Sequence, residues 1–425
     1  MPRSLCLAVA LLLHACAVPP AEPGEPRSEE ASEPPAAAIE TDASVRTIQL
    51  YQSGNEASLP ILGAGAGATL TLEFDVLGDA GVQPLSVRFA HVDARGEPDL
   101  LPTEFLRGFE RDEITDARAS GATAVRYAHY RYAFPNPAVG FRVSGRYRLV
   151  VSDADGRPLF ERAFLVAEGG VDVDLDVGSV LAGGVSGPIL QPSARLRIDG
   201  SRPGRDALST DPSRYTVCFV RNGELGDARC APEPSLSDFE TLGFFLPRER
   251  AFGLAPTAYG LDLGALRVGD QVLDVDYGAR PPTATLEIDY DAFGSELVEP
   301  FLFETPVVSA AYRDAGDGDL DAEYVDVRFR FVTENERPVP GALRVTGVAP
   351  PAVSGLTWDP EALRYDGSIL LKQGRYTYGY SLPTSGSAQG RGSLSQPTVY
   401  TALVFYRDLS TFADRLVGVE SRVVR

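Results

Sequence analysis

The chain has 425 residues and a formal net charge of −20 at pH 7. This length allows about three domains. The acidic balance excludes electrostatic binding to nucleic acids or to anionic lipid surfaces, because no basic stripe could neutralise the phosphates. The 42 glycines and 33 prolines favour a protein of short strands separated by turns.

Residues 1–16 have the features of an export signal. A positive charge precedes the apolar run Leu5–Leu13, which is too short for a permanent membrane helix. The run ends in LHAC (13–16), which resembles the lipobox of bacterial lipoproteins. We therefore predict a lipoprotein signal peptide over 1–16 with lipid attached to Cys16. The alternative is ordinary cleavage after Ala15 without a lipid.

Residues 17–44 consist largely of proline, glutamate and alanine. Such a segment buries too little apolar surface to offset the entropy lost on ordering, so we predict a disordered tether. Ala17, not aspartate, follows the cysteine. The resemblance to lipoproteins then implies a periplasmic protein that is lipid-anchored to the outer membrane.

Beyond the tether, short runs of β-branched and aromatic residues alternate with turn residues. In TLTLEFDVL (69–77), Leu70, Leu72, Phe74 and Val76 fall on one face of a strand. Similar runs follow, in chain order, at 145–166, 171–177, 215–220, 283–290, 324–332, 342–348, 374–382 and 398–407. Helical periodicity is nearly absent, so the pattern predicts an all-β protein.

The spacing of these runs predicts three immunoglobulin-like antiparallel β-sandwich domains in series. The first is an N-terminal sandwich over 45–168, and the second is a middle sandwich over 169–298. The third is a C-terminal, early-set immunoglobulin-like sandwich over 299–425. Each unit has a normal length for a sandwich domain.

The stretch VRYAHYRYAF (125–134) holds three tyrosines, two arginines and a histidine. In a strand, Tyr127, His129 and Arg131 share one face, and the other face holds Ala128, Tyr130, Tyr132 and Phe134. The second face is typical of a core, and the first of an outer or inter-domain surface. We therefore interpret the stretch as a strand and not as a catalytic cluster.

Two cysteines, Cys218 and Cys230, remain beyond the export signal. They flank a segment in which Asn222-Gly223 predicts a tight turn. An even pair of cysteines in an oxidising compartment favours a disulfide between them. The alternative is two buried thiols in neighbouring strands.

No known catalytic or metal-binding motif occurs in the sequence. His91 and His129 could meet across a sheet, but two histidines without a third ligand are a weak case for zinc. The acidic run DAGDGDLDAE (314–323) lacks the EF-hand glycine and glutamate, and we interpret it as a solvated linker turn. The sequence therefore predicts a protein that is not an enzyme, with no catalytic residue, metal, cofactor or small-molecule substrate.

Trp358 is the only tryptophan. With the tyrosine-rich strand that follows it, this residue resembles part of the early-set immunoglobulin-like domains of glycogen-active enzymes, where aromatic side chains stack on sugar. Trp358, Tyr376 and Tyr378 are therefore candidate stacking residues of an alternative function, a glycan-binding outer-membrane lipoprotein built of β-sandwich modules. Packing in a core is the commoner role for such residues.

Five stretches, taken in order, resemble the plug protein of the type IX secretion system. They are FAHVDARGEPDLLPTEFLRGFERDEITD (89–116), ASGATAVRYAHYRYAFPN (119–136), VSGRYRLVV (143–151), LKQGRYTYGY (371–380) and YTALVFYRDLSTFADRLVGV (400–419). The resemblance implies a β-rich, periplasmic, non-enzymatic protein that binds an outer-membrane translocon barrel. Its implied role is to occlude the periplasmic mouth of that barrel.

Overall fold

Strands make up most of the described part of the chain. The computed structural model describes residues 39–63, 67–93, 96–181, 188–198, 208–237, 241–253, 255, 257–269, 271–291, 301–303, 305–381 and 396–425. The predicted signal peptide with Cys16 lies outside these residues, as does the predicted tether as far as residue 38. Within the described ranges, no helix has the length and apolar character needed to cross a membrane.

The first sandwich is built from two sheets around an aromatic core. Its elements are β1 (Val45–Gln52), β2 (Ile61–Leu62), β3 (Leu70–Leu77), β4 (Ser86–Val92), α1 (Pro102–Phe105), β5 (Leu106–Gly108), β6 (Arg111–Glu113), β7 (Asp116–Ala119), β8 (Tyr127–Phe134), β9 (Val139–Phe141), β10 (Gly145–Ser152) and β11 (Pro158–Val166). The sheets have the orders β1-β3-β8-β7 and β2-β11-β10-β4-β6, and β5 pairs with β9. In the core between the two sheets, Phe74 stacks on Tyr130 with ring centroids 5.1 Å apart.

Sixteen further strands follow among the residues that the structure describes. They are β12 (Val171–Leu181), β13 (Pro188–Ile198), β14 (Tyr215–Arg221), β15 (Arg229–Ala231), β16 (Leu236–Ser237), β17 (Thr241–Phe245), β18 (Tyr259–Asp262), β19 (Val272–Asp276), β20 (Thr283–Tyr290), β21 (Tyr324–Val332), β22 (Arg344–Thr346), β23 (Thr357–Asp359), β24 (Arg364–Lys372), β25 (Arg375–Ser381), β26 (Thr398–Asp408) and β27 (Ala413–Val424). Short 3-10 turns lie at Pro212–Arg214, Leu225–Asp227, Arg248–Arg250 and Pro351–Val353.

The second sandwich combines the middle of the chain with its last two strands. One sheet has the order β12-β13-β17-β16, and the other has the order β15-β14-β26-β27. Strand β14 pairs with β26 from Tyr215 opposite Tyr406 to Arg221 opposite Tyr400. On the other side of β14, Cys218 lies opposite Cys230 of β15, and a disulfide joins them.

In the sequence, the strands of the third sandwich lie between β17 and β26 of the second sandwich. Its sheets have the orders β18-β25-β22 and β19-β20-β21-β24-β23. They enclose a core that includes Val327, Phe329 and Tyr378. Among the described strands, pairing is antiparallel except for β2 with β11 and β20 with β21. The predicted all-β fold with several separate antiparallel sheets is confirmed.

The order of the sandwiches along the chain differs from a simple series. Strands β26 and β27 fall in the segment 299–425 that was predicted to form a C-terminal sandwich of its own, yet they complete the sheet of β14. The physical reason is that β26 is apolar on both faces. Tyr400 and Val404 enter the core of the second sandwich, while Leu403 and Phe405 pack with Leu165 of the first.

Strand β3 is buried on both faces, although its sequence alternates apolar and polar residues. Leu70, Leu72 and Phe74 enter the core of the first sandwich, as the alternation predicts. The intervening residues Glu73 and Asp75 are also buried, at 2% and 1% exposure. Their face therefore does not meet water but is covered by another part of the chain.

Candidate functional site

A cluster of charged side chains lies where the first sandwich meets the third. Strand β3 pairs with β8 so that Asp75 lies directly opposite His129. Strand β21 pairs with β24 so that Tyr324 lies opposite Lys372. The ionic cluster, as we use the term, consists of Glu73, Asp75, His129, Asp319 and Lys372.

Asp75 and Lys372 form a buried ion pair at the centre of the ionic cluster. The Lys372 Nζ donates to Asp75 Oδ2 over 2.8 Å, and each side chain is only 1% exposed. Tyr324 Oη donates to the same oxygen over 2.8 Å. Burial by itself would raise the pKa of Asp75, but the charge of Lys372 and the bond to His129 hold it below its ordinary value.

Lys372 also contacts groups other than its carboxylate partner. Its Nζ donates to the Asp319 backbone carbonyl over 2.8 Å and lies 4.3 Å from the ring centroid of Tyr127. A buried ammonium needs such partners, because its charge has lost its hydration. Lys372 is the only lysine in the chain. Through Asp75 and Tyr127, it links β24 of the third sandwich to β3 and β8 of the first.

His129 has one satisfied and one unsatisfied ring nitrogen. Nδ1 lies 2.8 Å from Asp75 Oδ1. Nε2 is buried without a hydrogen-bond partner, and the nearby Asp319 Oδ2 is 3.9 Å away, beyond hydrogen-bonding distance. Glu73 accepts a hydrogen bond from Tyr51 Oη over 2.7 Å, and burial raises the pKa of Glu73 above its ordinary value.

The acidic loop 314–323, predicted to be a solvated turn, is exposed at Asp314, Asp317 and Asp321, but it also packs against the first sandwich. The Gly121 amide donates to the Leu320 carbonyl over 2.9 Å, and the Ala124 amide donates to Glu323 Oε2 over 2.8 Å. A Cβ added to Gly121 would lie 2.5 Å from Asp321 Oδ1. A side chain at position 121 would therefore displace the Asp321 carboxylate, although the Leu320 carbonyl, at 3.6 Å, would remain in ordinary contact.

Chemically, the ionic cluster is suited to holding two sandwiches together. Its charges come from both of them, and Asp75, His129 and Lys372 are nearly inaccessible to solvent. Groups this deeply buried and mutually bonded do not meet a substrate. Their polar partners instead make separation of the two surfaces costly, since either half alone would leave unpaired charges.

The alternation in 125–134 predicts an outer or inter-domain face for His129, and the structure buries His129 and Tyr127 there, with Arg131 at the edge. The alternation does not predict the partners Asp75, Asp319 and Lys372. Two signals in the sequence point toward them: two carboxylates on one face of a strand, and a single lysine in a chain rich in arginine. Among the described residues, the other histidine, His91, is buried in the first sandwich beside Asp99, with Nδ1 to Oδ1 at 2.6 Å.

The predicted glycan-stacking platform is corrected by the structure. Tyr376 and Tyr378 are 2% and 0% exposed and belong to the core of the third sandwich. Trp358 is half-buried against Tyr365, with ring centroids 5.1 Å apart. Tyr376 and Tyr378 are therefore inaccessible to a sugar, because the alternation of β25 directs their rings into the core.

Tyr378 and Tyr380 donate instead to a buried carboxylate, Asp289, over 2.7 and 2.5 Å. Burial raises the pKa of Asp289 to about 6, despite the bonds from Tyr380, Tyr378 and Gln271. The folded chain therefore holds this proton more tightly than the unfolded chain, in which aspartate has the ordinary value of 3.8. The resulting stabilisation is complete below about pH 4 and is lost as the pH rises through about 6.

We expect Asp289→Asn to remove this pH dependence. As the pH rises from 4 to 7, the free energy of unfolding of the original chain should fall relative to that of the variant. The expected fall is up to about 3 kcal/mol. Urea titrations at several pH values measure the difference, with the exposed Asp274→Asn as a matched control. A constant difference across this range would contradict the assignment.

Comparison with known proteins agrees with this architecture. Residues 45–168, the first sandwich, match the family model described as the type 9 secretion system plug protein 1st domain. No curated protein matches the chain in sequence. A solved structure, that of a hypothetical protein from Parabacteroides merdae at 2.30 Å resolution, matches with 22% identity and a TM-score of 0.77. The match covers 91% of this chain and 98% of that one, and it shows a shared fold.

The family match coincides with the sandwich that supplies Glu73, Asp75 and His129 to the ionic cluster. It also spans three of the five stretches on which the resemblance to plug proteins was based. Over residues 45–168, the chain therefore matches the first domain of the type 9 secretion system plug proteins.

Proposed function

We propose that this protein is a non-enzymatic plug or accessory protein of a type IX-like secretion translocon. In this role it binds the periplasmic mouth of an outer-membrane barrel and occludes it, and a lipid on Cys16 anchors it to the outer membrane. The observation that carries the proposal is the family match over residues 45–168. The lipobox-like LHAC sequence supports the anchor.

Steric occlusion requires a body that does not separate into loose modules, and the contacts of the first sandwich meet this requirement. Beside the ionic cluster, the Glu56 carboxylate accepts hydrogen bonds from the Val308 and Ala310 amides over 2.6 and 3.0 Å. The Gln49 amide donates to the Pro306 carbonyl over 2.9 Å. Val307 of the same segment pairs with Arg375 of β25. These bonds therefore fix the matched domain to the third sandwich, so the two sandwiches can act as one obstruction.

A surface for the barrel is available on the matched domain. Leu101 and Phe109 are 66% and 68% exposed, and they bracket α1 and β5. Exposed apolar side chains mark binding surfaces when they form a contiguous patch, and we propose that these two belong to one. Both residues belong to the stretch 89–116 that resembles plug proteins. We therefore include this segment in the proposed contact with the barrel.

The test is affinity purification of the full chain, tagged at its C-terminus, from membranes of cells that produce it. We expect a very large outer-membrane barrel to co-purify and to be identified by mass spectrometry. The double variant L101S/F109S should reduce its recovery at least about tenfold, because two anchors lost from an interface cost more than about 1.4 kcal/mol.

The matched control is V268S/L363S, which replaces two large apolar side chains, 60% and 44% exposed, on the third sandwich. It should leave recovery unchanged. Absence of any barrel from the purified complex would contradict the proposed function. Equal recovery with L101S/F109S and with the control would leave the barrel as partner but exclude this segment as the contact.

A further inference from the structure

We propose that Glu73, His129 and Asp319 form a binding site for a divalent transition metal such as zinc, which links the first sandwich to the third. Each side chain offers one ligand atom, and the three atoms lie within 4.8 Å of one another. The inference rests on the geometry of the ionic cluster and is independent of any role in secretion.

The hydrogen bonding of His129 prepares its Nε2 to act as a ligand. The ionised Asp75 carboxylate can only accept hydrogen bonds, so Nδ1 of His129 must carry the proton that joins them over 2.8 Å. In neutral imidazole this leaves Nε2 with a free lone pair. A carboxylate that accepts from the remote nitrogen is the usual partner of a metal-bound histidine, because it fixes both tautomer and ring orientation.

The unpartnered Nε2 of His129 points to a ligand that the protein itself does not supply. His129 is 4% exposed, and its Nε2 is buried without a hydrogen-bond partner. A buried polar atom left unpaired is costly, because it has lost its bonds to water, and such atoms are rare in folded proteins. A metal ion at Nε2 would remove this cost.

The types of ligand indicate the class of metal. One imidazole nitrogen with two carboxylate oxygens suits zinc and its first-row neighbours, whereas calcium takes oxygen ligands. Ligands bound to tetrahedral zinc at 2.0–2.1 Å are about 3.3 Å apart, less than the 3.9 Å from His129 Nε2 to Asp319 Oδ2. Binding must therefore draw His129 Nε2 and Asp319 Oδ2 together by roughly half an ångström.

The charge balance of the ionic cluster also favours a cation. Lys372 neutralises Asp75, which leaves the carboxylates of Glu73 and Asp319 as ligands for a dication. Their remaining cationic neighbours are at the rim: Arg131 is 3.3 Å from Glu73, and Arg118 is 4.0 Å from Asp319. Both arginines are more than 40% exposed, so solvent screens their charge.

The position of the site determines what metal binding would do. Glu73 and His129 lie on β3 and β8 of the first sandwich, while Asp319 lies on the acidic loop before β21 of the third. A metal with ligands from both sandwiches favours the state in which they are in contact, because only that state has the complete site. The ion would act as a removable link across this interface.

The test is zinc binding to the full chain, stripped of metal with a chelator and held at one pH. Competition against a chromophoric chelator should show one tight equivalent of zinc per chain. The variants H129N, E73Q and D319N should each weaken binding at least about 100-fold, because loss of a direct ligand costs more than the roughly 10–100-fold lost with an outer-shell partner. H129N is informative because its amide can still donate to Asp75 while Nε2 is removed.

The matched control is D317N, which changes a neighbouring acid of the same loop whose carboxylate is outside the three-ligand group. It should bind zinc within about threefold of the original chain. Thermal unfolding in chelator shows whether each variant folds, and D319N decides the question if H129N does not fold. Zinc binding of equal strength in D319N and D317N, or no tight equivalent in the original chain, would overturn the proposal.

Discussion

Replacing Lys372 by methionine is expected to lower the free energy of unfolding by about 3–5 kcal/mol. Methionine retains much of the apolar stem, so the main loss is the ammonium charge. Asp75 would then be left 1% exposed without its cationic partner, and the Asp319 carbonyl would lose a donor. Urea titration at pH 7, followed by the fluorescence of Trp358 in the third sandwich, measures the change.

A surface ion pair provides the control for this variant. Arg313 and Asp262 are also 2.8 Å apart, but their side chains are 45% and 33% exposed. Because solvent screens such a pair, Arg313→Met should cost less than about 1 kcal/mol. Adding Asp75→Asn to Lys372→Met should recover part of the lost stability, since it removes the unpaired charge. Equal losses for Lys372→Met and Arg313→Met would show that the buried pair contributes nothing beyond a surface pair.

Removing β26 and β27 by ending the chain at residue 396 is expected to unfold the second sandwich. The deleted hairpin supplies at least five buried side chains to its core: Tyr400, Ala402, Val404, Tyr406 and Val417. Full burial of each large one contributes about 1.5–3 kcal/mol. The summed loss is comparable with the total stability of a domain, which is about 5–15 kcal/mol.

Hydrogen exchange resolved by segment distinguishes this outcome from general destabilisation. In the truncated chain, β12, β13 and β17 should lose protection, because the opposing sheet of their sandwich has lost two of its four strands. Strands β20, β21 and β24 should keep theirs, since both sheets of the third sandwich remain complete. Three sandwiches in strict series would give the reverse pattern, with β12 and β13 protected and the C-terminal unit unfolded.

Much of the local structure could be predicted from residue patterns. The alternation in TLTLEFDVL and in VRYAHYRYAF correctly predicts strands and the faces that enter the core of the first sandwich. A strand has a period of two residues, so a short segment contains all the information needed. The pairing of Cys218 with Cys230 is similarly local, because a tight turn brings their strands together.

The ionic cluster could not be predicted in this way. Asp75 and Lys372 are almost three hundred positions apart, and nothing in either strand specifies the other. A polar face in an alternating strand is ordinarily assigned to water. Here the acidic loop and β24 cover that face, and only the tertiary contact reveals that Glu73 and Asp75 are buried.

Residue order alone therefore decides that this chain forms strands, where most of them lie and which side chains enter the nearest core. Those outcomes depend on sterics and on burial within a few neighbouring residues. Tertiary structure decides that β26 joins β14, that the third sandwich interrupts the second, and that charges from two sandwiches meet. These choices depend on contacts between segments that are distant in the sequence. The edge of a strand can pair with many other strands, and an apolar face can pack against many others, so only the complete fold determines the partner.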